Sequence, residues 1–204
     1  MIGIIDYGAG NLQSVRNALK KIGVESEFVS SPDSFENYSG LILPGVGSFG
    51  EAMKQLVANG LAAPIKEYCR HSHLMGICLG LQLLFEYSHE SLGVDGIGVF
   101  KGGFKRFETK DLKVPHVGWN SLEIKKKDGI FKDCRNEEYC YFVHSYYLGD
   151  CDKDIIAATC NYSGEFVAAV EKGNVSACQF HPEKSGEAGL RMLLNFCVKC
   201  GEEF

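Results

Sequence analysis

A three-layer α/β fold is predicted, an open and mostly parallel sheet with helices on both faces and an antiparallel extension. Three observations predict it. Short apolar runs alternate with helix-period segments through the first half of the chain, glycine-rich turns follow several of those runs, and the second half changes to strand-like segments separated by Gly, Asp, Asn or Lys turns.

Residues 2–6 are a short apolar run closed by Gly8 and Gly10. The spacing of Leu12, Val15, Leu19 and Ile22 predicts a helix over 12–22, with Gly23 as its stop. A strand fits 24–29, and 41–43 reads as a third, buried strand that runs into Pro44-Gly45-Val46-Gly47. Helices over 49–58 and 61–70 and a strand over 73–77 follow, then a segment over 81–87 that is apolar nearly all round and reads as a buried helix. Helices of this length between strands imply right-handed crossovers, hence a parallel sheet covered on both faces. Strands over 99–107, 114–124, 139–148, 155–162, 166–171 and 175–180 make the antiparallel extension, and 187–200 closes the chain as an amphipathic helix. With no internal repeat, linker or composition break, residues 1–204 are expected to form one domain.

At 45% hydrophobic and 23% charged, the 204 residues suit a globular domain able to bury a core without staples. The net charge of -5 argues against nucleic-acid and anionic-membrane partners. No apolar run approaches the roughly 20 residues of a membrane span, and the first residues carry Asp6 and Asn11 instead of a basic region before an apolar stretch, so a cytoplasmic protein is expected. The nine cysteines are scattered and read as free thiols. Cys197-x-x-Cys200 lacks a second ligand pair, and Cys69, His71 and His73 fit a helix end running into a strand, so neither a metal nor a cofactor is expected. The basic runs 101–110 and 125–127 read as solvated turns.

The most informative segment is Gly76-Ile77-Cys78-Leu79-Gly80-Leu81-Gln82, a strand, a sharp turn and a buried helix. In a nucleophile elbow the reactive residue sits at a strained turn, and small residues two positions before and after it relieve crowding, which is where Gly76 and Gly80 fall. Cys78 would then sit at a helix N-terminus that favours its thiolate, with the Leu79 amide aimed at a developing oxyanion. The bland alternative is one buried thiol among nine.

His181-Pro182-Glu183 ends the strand over 175–180, and two residues apart in extended chain Glu183 shares a face with His181 and can fix its tautomer. Cys78, His181 and Glu183 would supply nucleophile, acid/base and orienter at the carboxyl ends of sheet strands. The loop Gly45-Val46-Gly47 offers backbone amides for an oxyanion or a substrate; a phosphate cradle is disfavoured because the G-K-[ST] ending is missing. Gly8-Ala9-Gly10 fails as a dinucleotide fingerprint because Gln13 occupies the third glycine position. His116 and His144, in aromatic-rich strands, read as core or supporting hydrogen-bonding residues.

On these residues the chain resembles the class I (triad) glutamine amidotransferases. The likeness runs nearly end to end, through the segments beginning at Ile4, Leu43, Gly76, Pro115, Tyr141 and Gln179; those at Ile4, Leu43 and Pro115 point to the histidine-biosynthetic branch. Two departures, Phe100-Lys101-Gly102-Gly103 and Leu81, leave room for a paralogue serving another acceptor, such as a sugar-modifying synthetase. The resemblance implies that Cys78 attacks the carboxamide of L-glutamine, that His181 protonates the departing ammonia, and that Leu79 and Gly45, Val46 and Gly47 hold the oxyanion. It also implies that Gln82 and Gly47 touch the bound glutamine. Ammonia would pass to a separate (β/α)8 synthase subunit, the partner in a heterodimer, which makes imidazole glycerol phosphate and aminoimidazole carboxamide ribotide. Positions matching Asn11, Trp119, Tyr141 and Lys184 face that partner in the family. Read from the residues alone, Trp119 in a strand is a core residue and Lys184 a solvated side chain. A catalytically silent regulatory subunit is the rival outside enzymes, although no triad member is missing.

Overall fold

The computed structural model describes residues 1–203. In chain order the elements are β1 (Ile2–Ile5), α1 (Leu12–Lys21), β2 (Ser26–Val29), β3 (Gly40–Gly45), α2 (Phe49–Ala58), α3 (Ala62–Tyr68), β4 (His73–Cys78) and α4 (Leu79–Leu83). Then come β5 (Tyr87–Ser88), β6 (Gly103–Arg106), β7 (His116–Ser121), β8 (Glu123–Ile124), β9 (Tyr139–His144), β10 (Tyr146–Asp150), β11 (Ile156–Asn161), β12 (Glu165–Lys172), β13 (Val175–Cys178) and α5 (Gly186–Lys199).

The main sheet runs β2-β1-β3-β4-β13-β12-β10-β6-β5, with β11 paired to β12 and β8 to β11. Strands β2, β1, β3, β4 and β13 are mutually parallel; from β13 to β12 the direction reverses. The pleat sorts side chains to two cores. Ile2, Ile4, Ile42, Met75 and Ile77 meet Val15 and Leu19 of α1 and Met192, Leu193 and Phe196 of α5, while Ile5, Leu41, Leu43 and Leu74 meet Phe49, Met53 and Leu56 of α2 and Ile65 of α3. Helices therefore cover both faces, as the alternating pattern predicts.

Three expectations need correction. The helix over 81–87 is only α4; the chain leaves it because carbonyls that would continue the helix are taken by a returning loop. Ile97 N–H donates to Leu83 O, Val99 and Phe100 N–H to Leu84 O, and Gly96 N–H to Glu86 O. The segment is apolar all round because it is enclosed, not because it is a long helix. The strand over 139–148 breaks at Ser145 into β9 and β10, and that over 114–124 breaks at Leu122 into β7 and β8. Finally, β7 and β9 do not join the extension: they form their own two-stranded antiparallel ribbon, with His116 opposite His144 and Trp119 opposite Tyr141.

Candidate active site

Strand β4 lies between β3 and β13, pairing Gly45 with Cys78 on one side and Ile77 with Cys178 on the other. All three strands point their carboxyl ends at the same cavity, of about 400 Å³, whose wall includes Val46, Gly47, Cys78, Leu79, Gln82 and His181.

Cys78 ends β4 with φ 55 and ψ -108, a left-handed backbone that a side chain rarely adopts. Packing imposes it. A Cβ on Gly80 would stand 1.9 Å from the Leu43 carbonyl oxygen, and one on Gly76 would stand 2.9 Å from Gly80 O, so α4 sits against β3 and β4 at a distance only glycine permits. The turn this forces leaves the Cys78 side chain in the cavity wall. Gly45 serves the same approach from β3, since a Cβ there would lie 2.8 Å from the Tyr7 hydroxyl and 2.9 Å from Leu79 Cβ; it sits beneath the loop and outside the cavity wall. Gly47, at φ 98 with open space around its Cα, is free to hold a conformation a larger residue would resist.

His181 follows β13 and is anchored by its backbone, its N–H donating to Tyr141 O (2.9 Å) and its carbonyl accepting from Ser185 Oγ (2.6 Å). Its Nδ1 lies 2.8 Å from Glu183 Oε1, both side chains being 2% exposed. The carboxylate reaches the ring across a 3₁₀ turn, Pro182–Lys184, rather than along extended chain, so the expected contact forms by a different route. By accepting a hydrogen bond from Nδ1–H, Glu183 fixes the orientation of the ring and keeps the proton on Nδ1, while Nε2 has no hydrogen-bond partner among the described residues. Burial pulls the His181 pKa down, but Cys78 sulfur and the Glu183 carboxylate together outweigh it and raise the group to about 9.

Gln82 is buried in the wall and donates from Nε2 to Gln179 Oε1 (3.3 Å). Of the four positions carried as partner-facing, three form one patch at the rim. Trp119 is 55% exposed, because it projects from the outer face of the β7–β9 ribbon; its reading as a core residue is wrong. Its ring meets that of Tyr141 edge-on at 6.1 Å, and Lys184 Nζ lies 5.9 Å from the Tyr141 ring centre. Lys184 is thus tied to Tyr141. Asn11 caps α1, accepting from Ser14 N–H (3.3 Å), and α1 packs beside the Pro182–Lys184 turn.

Three residues in or behind the cavity wall were not read from the sequence as site residues. Glu90, from the loop after β5, accepts from Phe49 N–H at 2.7 Å and lines the wall, with no motif to mark it. Buried His144 lines it too; its Nδ1 bonds Tyr146 O (2.8 Å) and its Nε2 bonds His116 Nδ1 (3.0 Å). Burial lowers the pKa of His116 to about 4 and of His144 to about 3, so the pair is neutral. Gln179 is the third, and its one signal was a polar residue at the end of a buried strand.

A family model described as Glutamine amidotransferase class-I matches residues 3–200. The chain belongs to the class-I glutamine amidotransferases. It is 48% identical over 203 residues to the imidazole glycerol phosphate synthase subunit HisH of Caldanaerobacter subterraneus subsp. tengcongensis, covering 98% of this chain and 100% of that one. It is 45% identical over 200 residues to the chloroplastic imidazole glycerol phosphate synthase hisHF of Arabidopsis thaliana, where the match spans 96% of this chain and 34% of the relative. Among solved structures, the fold is similar to a crystal structure of a glutamine amidotransferase (TM-score 0.77, 19% identity, 98% of this chain and 99% of that one). It is likewise similar to a chain of PurLQS from Thermotoga maritima (TM-score 0.76, 21% identity, 97% of each).

Proposed function

We propose that this amidotransferase is the glutaminase subunit of an imidazole glycerol phosphate synthase. It hydrolyses L-glutamine to glutamate and ammonia and passes the ammonia to a separate (β/α)8 synthase subunit in histidine biosynthesis. The observation that carries the chemistry is the convergence of an elbow cysteine and a Glu183-oriented histidine on one cavity.

In the proposed mechanism the Cys78 thiolate adds to the carboxamide carbon of glutamine, and its carbonyl oxygen becomes an oxyanion held by the Leu79 amide and the loop at Val46 and Gly47. Imidazolium His181 gives its proton to the nitrogen as the C–N bond breaks, releasing ammonia and leaving a glutamyl thioester. Neutral His181 then takes a proton from water, whose hydroxide adds to the thioester; collapse breaks the C–S bond, restores the thiolate beside imidazolium His181, and frees glutamate, whose new carboxyl group gives its proton to solvent. A raised His181 pKa suits the first step, because the proton is in place at neutral pH. Glu90 supplies a carboxylate in the wall suited to the α-ammonium of glutamine, and Gln82 faces the same space.

The outer face of the β7–β9 ribbon supports the partner assignment. Val117, Trp119, Tyr139 and Val143 are all exposed there, and Tyr141 lies among them, with its carbonyl bonded to His181 N–H. A partner docked on this apolar strip touches the strand that holds the catalytic histidine. Work in the cytoplasm is supported by nine free cysteines. No helix among the described residues is long and apolar enough to cross a membrane.

The test is glutamate release by the chain alone, with its (β/α)8 partner, and with partner plus acceptor ligand. A closed oxyanion loop lacking one donor should hold the lone chain roughly 10²- to 10³-fold below the full complex, and Cys78→Ala should abolish turnover in all three while leaving the fold intact. Full activity from the lone chain, unchanged by either addition, would favour a stand-alone glutaminase; turnover by Cys78→Ala would sink the nucleophile.

A further inference from the structure

We propose that Gln179 is a positioning residue for the nucleophile: its side-chain amide donates to Cys78 sulfur and holds the thiolate in the cavity wall, while Gln82 keeps that amide turned the right way. The proposal rests on Cys78 being the nucleophile and adds a residue that neither the elbow nor the His-x-Glu pair includes.

Gln179 is fully buried, and its backbone N–H is tied to Ala168 O of β12 at 2.8 Å, so the side chain departs from a fixed point. Its Oε1 accepts from Gln82 Nε2 at 3.3 Å, and its Nε2 lies 3.8 Å from Cys78 Sγ. That contact is the one hydrogen bond found for this amide nitrogen among the described residues. A buried amide needs partners. A neutral thiol is a poor acceptor, whereas a thiolate is a charged one that strengthens the bond. The burial of this amide is therefore best satisfied when Cys78 is ionised, which is the reactive form.

The groups around the sulfur leave this task open. His181, after β13, is the cation on the same cavity wall, and its charge and that of the sulfur favour each other. Tyr7, beyond β1, and Cys178, in β13, also face it; burial raises the pKa of both, so both stay neutral and supply no charge. Glu90 and neutral His144 lie elsewhere on the cavity wall, and Glu183 stands behind the His181 ring. A neutral donor such as Gln179 stabilises the thiolate without a second cation that would oppose the protonated form of His181. The same line of bonds uses the Nε2 donor of Gln82, so that the other end of that amide is available to the cavity.

The experiment follows alkylation of Cys78 by iodoacetamide, peptide by peptide in a mass spectrometer, between pH 5 and 10 for the full chain and for Gln179→Met and Gln179→Glu. Methionine keeps the length and loses the donor; glutamate adds an acceptor. Expected is an upward shift of the midpoint by about one pH unit in Gln179→Met, read as about tenfold slower alkylation below it, and a larger shift in Gln179→Glu. An unshifted midpoint, or a slowing by the same factor at every pH, overturns the proposal, since packing damage alone would do that. The unmutated chain gives a check that needs no substitution at Gln179. Its side-chain amide ¹⁵N resonance should titrate with the Cys78 midpoint and stop doing so in Cys78→Ala; a resonance indifferent to Cys78 also overturns it. If alkylated Cys78 still turns glutamine over, the nucleophile assignment falls and this proposal with it, whereas an idle Gln179 beside an essential Cys78 removes the proposal alone.

Discussion

Strands β3 and β4 are buried almost throughout and meet the cavity chiefly through the turns at their ends: a strained turn at Cys78, the Leu79 amide, a glycine loop at Gly47. Strand β9 alternates, with Tyr139 and Val143 exposed and Cys140, Phe142 and His144 buried, and it serves the site through side chains and through its contact with His181. The parallel half is a frame whose tolerances are steric; the ribbon is a surface whose inner face supports the site and whose outer face, apart from Val143 at the cavity wall, stays exposed. Damage to the frame should appear as lost stability. Damage to the ribbon's outer face should appear as lost association.

The largest expected effect is on the frame. Gly80→Ala gains about 1 kcal/mol of helix propensity, but its Cβ would sit 1.9 Å from Leu43 O, a backbone atom that cannot step aside. We expect a net loss of about 3 kcal/mol and a Tm lower by roughly 6 to 12 °C. Thermal melts decide it; a wild-type Tm would mean that α4 is not held by the frame.

Next in size is the pH response where the two halves meet. His181 is raised to about 9, so it carries its proton at neutral pH and loses it as pH climbs through that value. Glutamine hydrolysis by the complex should fall about tenfold per pH unit above about 9. The stability that the raised pKa contributes is fully present below the unfolded value of about 6.5 and fades over the same rise. Glu183→Gln, by removing one of the two groups that raise it, should move the alkaline limb to lower pH; an unmoved limb would detach Glu183 from the histidine. His116 and His144 have the opposite sign. Held neutral by burial, they should let stability decline as pH drops from about 6.5 toward 4, measurable by melts across that range.

The smallest expected effect on the lone chain is that of Trp119→Ala, on the ribbon's outer face. It should change the stability of the isolated chain by less than about 0.5 kcal/mol and weaken binding of the (β/α)8 partner by about 2 kcal/mol, near thirtyfold in Kd. Titration calorimetry beside a melt separates the two; a large Tm loss with intact binding would turn the ribbon into frame.

Much of the frame could be read directly. Helix α2 falls on 49–58, and the elbow announces itself by Gly76 and Gly80 around Cys78. Reading failed where a segment serves two partners. Residues 139–148 form one continuous β-like run, yet the chain splits at Ser145 because β9 pairs with β7 and β10 with β6. Glu90 was invisible for a related reason: its place depends on a loop whose carboxylate caps α2 across 41 residues of sequence.

By itself the sequence determined the alternation of buried strand and helix, the glycines that make room for a tight turn at Cys78, and the presence of a cysteine and a His-x-Glu pair, because each depends on residue type and spacing within a few positions. The tertiary structure decided which strand lies beside which, and with that everything needing two distant segments. It set Gln179 against Cys78, made Glu183 reach His181 through a 3₁₀ turn, and left Trp119 on the outside of a ribbon rather than in a core. The physical reason is that strand pairing is chosen by burial and hydrogen bonding summed over the whole sheet, and no single segment carries that sum.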